Sequence, residues 1–369
     1  MLRDDLKIDK SICNKKFFYE SRKLFNLSYI WHEYSASREQ LEFDLTDNVK
    51  YFYPYPKGIN VSINNVCNLT CIMCPFFSKE FEKTHKIDYF KTKRVLEDSY
   101  IYEAIDYLSK AVEQYPDVTI GFTAAGEATL DDRLPKFIEH ARQKGIPYRY
   151  IVTNGTMLEK VGVDLLESGL NRMAISIDGA TSETYKKIRG ASLDKVERGV
   201  RKCVEHARKL NAFGANIEFD LNCVLTDIFK ESDEKDMYLQ KWSDCRDIIT
   251  KIFFTNMVVY DEFGLDKNTQ KRYEKFSCSL PWQNFSVDCY GNVTCCCTMD
   301  SSVMYNPISL GNVKELGYKG VWNGIGYKTL RKETLEQKFN KFSLCNGCAE
   351  RFKMCFDVEK DTTSRHELN

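Results

Sequence analysis

The chain alternates short apolar, β-branched runs with longer amphipathic stretches. Six runs have the composition of buried strands, at residues 59–66, 118–123, 148–153, 172–177, 217–225 and 251–260. Between them, hydrophobic residues recur at helical spacing, as in residues 191–210 and in residues 134–145, where Gly145 can end the helix. Six strands alternating with helices predict an α/β fold, a partial (β/α)6 barrel of the TIM type.

Polar and unusual residues follow the predicted strands. The examples are Cys67 after the first run, Gly126 and Glu127 after the second, Asn154 after the third, and Ser176 at the end of the fourth. Because active sites of such barrels lie at the carboxyl ends of the strands, these residues are expected to meet in one site. Positional candidates for a proton-accepting group near the strand ends are Glu218, Asp220, Arg246 and Tyr260.

Length and charge exclude several classes of partner. With 369 residues the chain can bury a large core without disulfides. Its 53 Lys and Arg balance 53 Asp and Glu, so no net charge favours nucleic acid or an anionic membrane. No apolar run reaches the roughly 18 residues of a membrane span, and the first residues do not form a signal peptide. We therefore expect a soluble, cytoplasmic protein that binds neither nucleic acid nor membrane.

Three regions are predicted from the changes in composition. Residues 1–57 are aromatic and charged and are expected to cap the barrel, residues 58–270 form the barrel, and residues 271–369 form a small cysteine-rich domain. Fifteen cysteines in a chain without a secretion signal indicate metal binding rather than disulfides. The isolated ones are expected to be small buried hydrophobes: Cys13, Cys203, Cys223 and Cys245.

The first cysteine group is Cys67, Cys71 and Cys74 in the string CNLTCIMCP. Three thiolates at this spacing can hold three corners of a [4Fe–4S] cluster and leave one iron without a protein ligand. An open position on a metal invites a chelating cofactor or substrate. A zinc site completed by His85 is the alternative, although zinc loops more often use C-x2-C pairs.

This string resembles the CxxxCxΦC signature of the radical S-adenosylmethionine (SAM) superfamily. The resemblance continues in family order through FTAAGEATL (122–130), TNGT (153–156), ISIDGA (175–180) and TYKKIRG (184–190). It implies these SAM contacts: Met73 at the adenine, Gly126 and Glu127 at the amino group, Ser176 at the ribose or carboxylate, Arg189 at the carboxylate, and Asn154 as a further cofactor-binding residue.

The same resemblance implies a reaction. Such enzymes reductively cleave SAM to a 5′-deoxyadenosyl radical, which abstracts a hydrogen atom from the substrate, and the electron comes from a flavodoxin- or ferredoxin-type donor. The chain departs from the family's glycine–glutamate motif at Ala125, where a glycine is usual, and at Ala128, where a proline is usual. Of that motif, only Gly126 and Glu127 carry over directly.

The second cysteine group resembles the SPASM or twitch extension of radical SAM enzymes, which implies an auxiliary [4Fe–4S] cluster. The predicted ligands are Cys278, Cys296, Cys345 and Cys348, with Gly291 placed to turn a β-hairpin. One auxiliary cluster is expected, since a single cysteine follows the C-x2-C pair. Alternative ligands are Cys289, Cys295, Cys297 and Cys355, and a zinc knuckle at the C-x2-C pair is the alternative site.

An auxiliary redox centre favours an oxidoreductase of the dehydrogenase type. The predicted reaction removes a hydrogen atom and a proton from a substrate carbon and oxygen and passes the second electron to the auxiliary cluster. The resemblance favours a small polar substrate, such as a sugar or aminocyclitol. The alternatives are modification of a peptide or protein, for which residues 1–57 look too short to form a leader-binding domain, and a non-enzymatic iron–sulfur or zinc protein.

Overall fold

The computed structural model describes residues 54–79, 90, 92–123, 126–256, 278, 280–296, 299, 308–336 and 338–347. Most of the predicted cap, residues 1–53, lies outside this part of the chain. So do several residues with predicted roles: Cys13, His85, Tyr260, Cys297, Cys348 and Cys355.

The described strands and helices alternate in the predicted order. The strands are β1 (Gly58–Val61), β2 (Thr119–Phe122), β3 (Tyr148–Thr153), β4 (Arg172–Ser176), β5 (Glu218–Leu225), β6 (Ile249–Asn256), β7 (Asn284–Val287) and β8 (Val293–Thr294). The helices are α1 (Asp98–Ser109), α2 (Leu134–Gln143), α3 (Leu158–Glu167), α4 (Ser182–Arg189), α5 (Leu193–Asn211), α6 (Asp227–Ser232), α7 (Lys235–Lys241), α8 (Val313–Trp322) and α9 (Ile325–Glu336).

The strands form one open sheet in the order β6–β5–β4–β3–β2–β1–β7–β8. Strands β1 to β6 run parallel, each beside the next, which confirms the partial barrel. The first predicted strand was too long, because β1 ends at Val61. Beyond it, Asn64 Oδ1 accepts the backbone N–H of Val66 at 3.0 Å, a side-chain turn that bends the chain before Cys67.

The cysteine-rich part of the chain begins by extending the barrel sheet. Strand β7 pairs in parallel with β1, with Gly58 opposite Asn284 and Val61 opposite Val287. Strand β8 then returns antiparallel beside β7, so the predicted hairpin is confirmed. Its turn contains Gly291 at φ +90°, a backbone conformation that favours glycine. The two regions with cysteine groups therefore share one hydrogen-bonded sheet.

The core lies between the sheet and the helices that cover it. Cys203, Cys223 and Cys245 are buried in it, as predicted for isolated cysteines. Helices α3 and α5 pack closely, because Gly199 presents no side chain to the backbone of Glu159. In the described part of the chain, no helix combines the length and the apolar composition needed to cross a membrane.

Glu234 fixes the loop between β4 and α4. One carboxylate oxygen accepts the backbone N–H groups of Ala180 and Thr181 at 2.7 and 3.0 Å, and the other accepts the hydroxyls of Thr181 and Thr184, both at 2.6 Å. The residue is only 6% exposed. This carboxylate therefore caps the amino end of α4, the helix that carries Arg189.

We expect Glu234→Ala to lower the free energy of unfolding by about 3 kcal/mol, because it leaves buried donors without an acceptor. Urea denaturation measures this change, and the exposed Glu231→Ala should alter the free energy of unfolding by less than about 0.5 kcal/mol.

The stabilisation by Glu234 should also depend on pH. Burial opposes ionisation, but the four hydrogen bonds hold the pKa of Glu234 below its usual value. The ionised Glu234 therefore contributes fully to the free energy of unfolding above about pH 4.3, and this contribution falls as the pH drops through the lower pKa of the folded state. A difference between parent and variant that persists unchanged at pH 2 would contradict this account.

Candidate active site

The first cysteine group lies on the loop that follows β1. Cys71 is buried, and Cys67 and Cys74 are partly buried. Burial is the main factor that raises the pKa of the Cys67 thiol to about 11, and the charges of Cys71 and Cys74 raise it further. The three thiols are thus within electrostatic range of one another, as their sequence spacing predicts. A metal that binds them has to displace their protons.

Helix α4 holds this loop from the side. The backbone N–H of Ile72 donates to the carbonyl of Ile188 at 3.0 Å. Burial raises the pKa of Cys71 and Cys74, and the Arg189 guanidinium opposes that shift at both thiols. A cation therefore faces the place where these thiolates and a bound anion would lie.

Arg189 is itself held by a buried carboxylate. Its Nε donates to Asp178, whose other oxygen accepts the backbone N–H of Val224 at 2.6 Å. Burial alone would lower the pKa of Arg189, but Asp178 and Cys71 raise it above its usual value. The guanidinium therefore stays charged, and its terminal nitrogens are the groups with which it can bind a carboxylate.

Glu127 lies at the carboxyl end of β2 and is 3% exposed. One oxygen accepts from the hydroxyls of Thr129 and Thr153 and from the Thr129 amide, and the other accepts the Asn154 amide at 2.7 Å. A carboxylate has about four acceptor positions over its two oxygens, so the second oxygen can take another donor. Glu127 therefore organises two strand ends and can still accept an ammonium group.

Gly126 allows this segment to approach the cysteine loop. A Cβ at this position would lie 2.7 Å from the carbonyl oxygen of Val66 and 2.6 Å from Asn64 Oδ1. The next residue, Glu127, donates its backbone N–H to that same Val66 carbonyl at 2.7 Å. Glycine is thus required by packing, independently of any cofactor.

The Tyr185 hydroxyl, on α4, is a polar group that the sequence did not single out. It is fully buried and has no hydrogen-bond partner among the described residues. Burial raises the pKa of Tyr185, and Arg189, Asp178 and Cys71 all influence that pKa. The TYKKIRG motif contains this tyrosine, but its burial beside the cysteines depends on how α4 packs. An unpaired buried donor at this place fits a site that receives a polar ligand.

Ser176 and Met73 are the two other predicted SAM contacts. Ser176 is partly exposed at the carboxyl end of β4, two residues before Asp178. Met73 lies in the cysteine loop and packs partly against the core. Both lie at the expected edge of the sheet.

Three of the four positional candidates for a proton acceptor lie at the wrong end of the strands, and the fourth, Tyr260, is outside the described residues. Glu218 is the first residue of β5, and Arg246 precedes β6. Asp220 is buried in the first half of β5. The prediction failed because these residues belong to strand starts, whereas the strand ends form the opposite edge of the sheet.

The second cysteine group forms around β8. A hydrogen bond with Cys296 and burial raise the pKa of Cys295, and the charges of Cys278 and Cys345 raise it further. Cys278, Cys296 and Cys345 are therefore within electrostatic range of Cys295. Tyr327 of α9 fastens the hairpin by donating to the Asn284 carbonyl at 2.7 Å. The choice between Cys295 and Cys296 as ligand stays a prediction, since both lie in the group.

The two cysteine groups lie at different levels of the sheet. Cys67 follows the carboxyl end of β1, whereas Cys295 and Cys296 follow β8, next to the first residues of β7 and β1. The residue span of β1 corresponds to about 10 Å along the strand. Cys289 is in the β7–β8 turn, at the opposite end of the hairpin from Cys296. The thiols of the first group are within electrostatic range of one another, but among the described residues no three His, Cys, Asp or Glu side chains are grouped closely enough to hold a single metal ion.

Comparison with known families agrees with both cysteine groups. A model described as the Radical SAM superfamily matches residues 61–217, from the last residue of β1 to the start of β5. The chain therefore contains a radical SAM domain. A second model, SPASM, described as an iron–sulfur cluster-binding domain, matches residues 278–349. The radical SAM domain implies a [4Fe–4S] cluster and SAM, and the SPASM domain implies auxiliary iron–sulfur binding.

Curated relatives match the barrel region. One is a "Probable GTP 3′,8-cyclase" of Methanococcus aeolicus, 31% identical over 156 residues, which is 42% of this chain and 48% of that protein. Another is the 7,8-dihydro-6-hydroxymethylpterin dimethyltransferase of Methanocaldococcus jannaschii, 27% identical over 41% of this chain and 27% of that protein. The match spans about half the length of these relatives or less.

Solved structures with a similar fold cover more of the chain. SuiB of Streptococcus suis bound to the precursor peptide SuiA has a TM-score of 0.55, with 15% identity, over 94% of this chain and 83% of that one. The enzyme anSMEcpe with bound AdoMet has a TM-score of 0.52, with 18% identity, over 84% of this chain and 93% of that one. At these identities the likeness shows the fold.

Proposed function

We propose that this radical SAM enzyme is an oxidoreductase that oxidises a small polar substrate, with an auxiliary cluster as acceptor of the second electron. The observation that carries the proposal is the presence of two separate thiol groups in one sheet, one beside a buried cation and one on the hairpin next to β1. One thiol group is sufficient to cleave SAM. A second group suits a reaction that must dispose of an electron.

The residues of the first site fit the cofactors of the family. Cys67, Cys71 and Cys74 would hold the cluster and leave one iron open. Arg189 would bind the SAM carboxylate, and the second oxygen of Glu127 would accept the SAM ammonium group. The unpaired Tyr185 hydroxyl adds a donor in the same buried region. With its cofactors bound, such a site supplies reductive cleavage of SAM and removal of a hydrogen atom from the substrate.

The proposed oxidation is balanced. The substrate carbon loses a hydrogen atom to the 5′-deoxyadenosyl radical, the substrate oxygen loses a proton, and one electron goes to the auxiliary cluster. The ligands proposed for that cluster are Cys278, Cys296, Cys345 and Cys348, with Cys295 as an alternative to Cys296. Of these, Cys295 and Cys296 follow β8 and lie about one strand length from the carboxyl end of β1, a separation that the electron would have to cross.

Peptide modification is the second candidate. The fold shared with SuiB, whose structure holds a precursor peptide, covers nearly the whole chain and favours this class. The names of the curated relatives refer instead to small molecules, GTP and a pterin. We favour a small polar substrate because those relatives share more sequence with the barrel that would hold the substrate.

The decisive experiment uses anaerobically reconstituted protein with dithionite and SAM. We expect 5′-deoxyadenosine and methionine, and about eight iron atoms per chain if two cubane clusters are present. Candidate polyols and aminocyclitols, or peptides, are then tested for incorporation of substrate deuterium into 5′-deoxyadenosine. Transfer from peptides alone would replace the small-molecule proposal, and absence of SAM cleavage would remove the radical reaction.

SAM binding tests the role of Arg189. Arg189→Ala alone would leave Asp178 buried and unpaired, at a cost of about 3–5 kcal/mol in stability. We therefore choose the double variant Arg189→Met with Asp178→Asn, which removes both charges. It should weaken SAM binding by about 1.5–3 kcal/mol, roughly 10- to 150-fold, with unchanged iron content. Calorimetric titration measures this, and Arg198→Met, at an exposed arginine, is the matched control. Parental affinity in the double variant would show that Arg189 does not bind SAM.

A further inference from the structure

We infer that Asn154 is a positioning residue whose side-chain amide donates a hydrogen bond to Cys67 and raises the reduction potential of the cluster held by that loop. The inference rests on the proposed function, because it requires a cluster at Cys67. Asn154 Nδ2 lies 3.8 Å from Cys67 Sγ, although the two residues are 87 positions apart in the chain. Asn154 is 6% exposed, so water competes little for this contact.

The neighbouring hydrogen bonds fix which end of the amide faces the sulfur. Asn154 Oδ1 accepts from the backbone N–H and the hydroxyl of Thr156, at 3.0 and 2.6 Å. Its Nδ2 also donates to Asn68 Oδ1 at 2.9 Å, and the Asn68 amide donates to the Thr156 hydroxyl at 2.8 Å. Rotating the Asn154 amide by 180° would place its oxygen against Asn68 Oδ1 and its N–H group against the donors of Thr156. The N–H group must therefore point at Cys67.

Backbone hydrogen bonds also fix the position of Asn154. The Asn154 N–H donates to Glu127 Oε2 at 2.7 Å, and the Glu127 N–H donates to the carbonyl of Val66, the residue before Cys67, also at 2.7 Å. These bonds close a ring through the ends of β2 and β3 and the start of the cysteine loop. The distance from the amide to the sulfur is thus set by the fold and not by the loop alone.

A hydrogen bond at a cluster thiolate has an electrostatic consequence. Uptake of one electron from an external reductant makes a cluster more negative, and a donor at a ligand sulfur stabilises that form. Cys74 receives such a bond from the backbone of Phe76, within its own loop, at 3.4 Å. The contact at Cys67 differs because it comes from a side chain and can be changed without altering the loop.

The test is a potentiometric titration, followed by electron paramagnetic resonance, of the reconstituted full chain reduced with dithionite. The signal that changes when SAM is added identifies the cluster at Cys67. We expect Asn154→Ala to lower its midpoint potential and Asn154→Asp to lower it further, because Asp keeps an acceptor for Thr156 but sets a carboxylate oxygen against the sulfur. Gln143→Ala removes an exposed amide on α2, outside the cysteine loop and its hydrogen bonds, and should keep the parental potential.

The order of the midpoint potentials of the two Asn154 variants separates an electrostatic role of the amide from a purely structural one. A structural role predicts that Asn154→Asp, which resembles asparagine in shape, stays closer to the parent than Asn154→Ala. The inference is overturned if the potential of Asn154→Asp is closer to the parent than that of Asn154→Ala. It is also overturned if both variants keep the full iron content and the parental potential. If Asn154→Ala fails to fold, Asn154→Asp against the parent still decides it. A parent protein without any SAM-responsive cluster signal would instead contradict the proposed function itself.

Discussion

Replacing Cys67, Cys71 or Cys74 by alanine is expected to abolish SAM cleavage while the protein remains folded. Each thiol would hold one corner of the cluster, so the loss of one leaves the cubane incomplete. Iron should fall by about four atoms per chain. The barrel core should persist, because β1 ends at Val61 and the cysteine loop lies beyond it.

A core cysteine provides the matched control for these variants. Cys203 is fully buried between α3 and α5, where its sulfur fills the space beside Gly162. Cys203→Ala should lower the thermal midpoint of unfolding but keep the iron content and the rate of 5′-deoxyadenosine formation. Chromatographic detection of 5′-deoxyadenosine and an iron assay separate the two effects. Unchanged SAM cleavage in Cys67→Ala, Cys71→Ala or Cys74→Ala would remove the radical SAM function from this loop.

The barrel could be predicted from the sequence because parallel strands and covering helices leave local patterns. Helix α5, for example, follows directly from the apolar spacing in residues 191–210. The end of β1 was misplaced because the apolar residues of the run continue after Val61, and the turn is made by the side chain of Asn64. Periodicity records apolar positions and is insensitive to such a bond.

The pairing of β7 with β1 could not be predicted in the same way. These strands are more than 200 residues apart, and nothing in either local pattern specifies the partner. Glu218 and Arg246 were wrongly predicted near the active site because they lie beside strands but at the strand starts, away from the carboxyl ends. Cys67 and Glu127 each follow a strand that is easily recognised, whereas Arg189 ends α4 and is tied to the end of β4 by its hydrogen bond to Asp178. Their roles in SAM binding stay predictions.

The interior of the site depends on contacts that no motif encodes. Asn154 and Glu127 were expected to meet SAM, yet both are bound to other residues of the chain as well. Asp178 and Tyr185 lie in recognised motifs, but their roles follow from burial and from the absence of a partner for the tyrosine among the described residues. Sequence motifs identify the residues of such a site, and side-chain packing decides which of them remain available to a ligand.

The largest expected effect in the C-terminal domain comes from the double variant Cys345→Ala with Cys348→Ala. If this group holds the auxiliary cluster that accepts the second electron, the variant should still cleave SAM, because that reaction uses the first thiol group. It should release no oxidised product, and its iron should fall by about four atoms. The parent should make about one oxidised product for each SAM consumed, which mass spectrometry of both products measures.

The matched control for this variant is Cys289→Ala. Cys289 belongs to the same hairpin and is also buried, but it lies in the β7–β8 turn, away from the thiols that influence Cys295. We therefore expect it to keep both clusters and product formation.

A zinc knuckle predicts bound zinc, one cluster's worth of iron in the parent, and an unstable double variant. Full turnover with a single cubane cluster in the parent would instead leave a radical reaction without net oxidation, since no second centre would then be needed to take the electron.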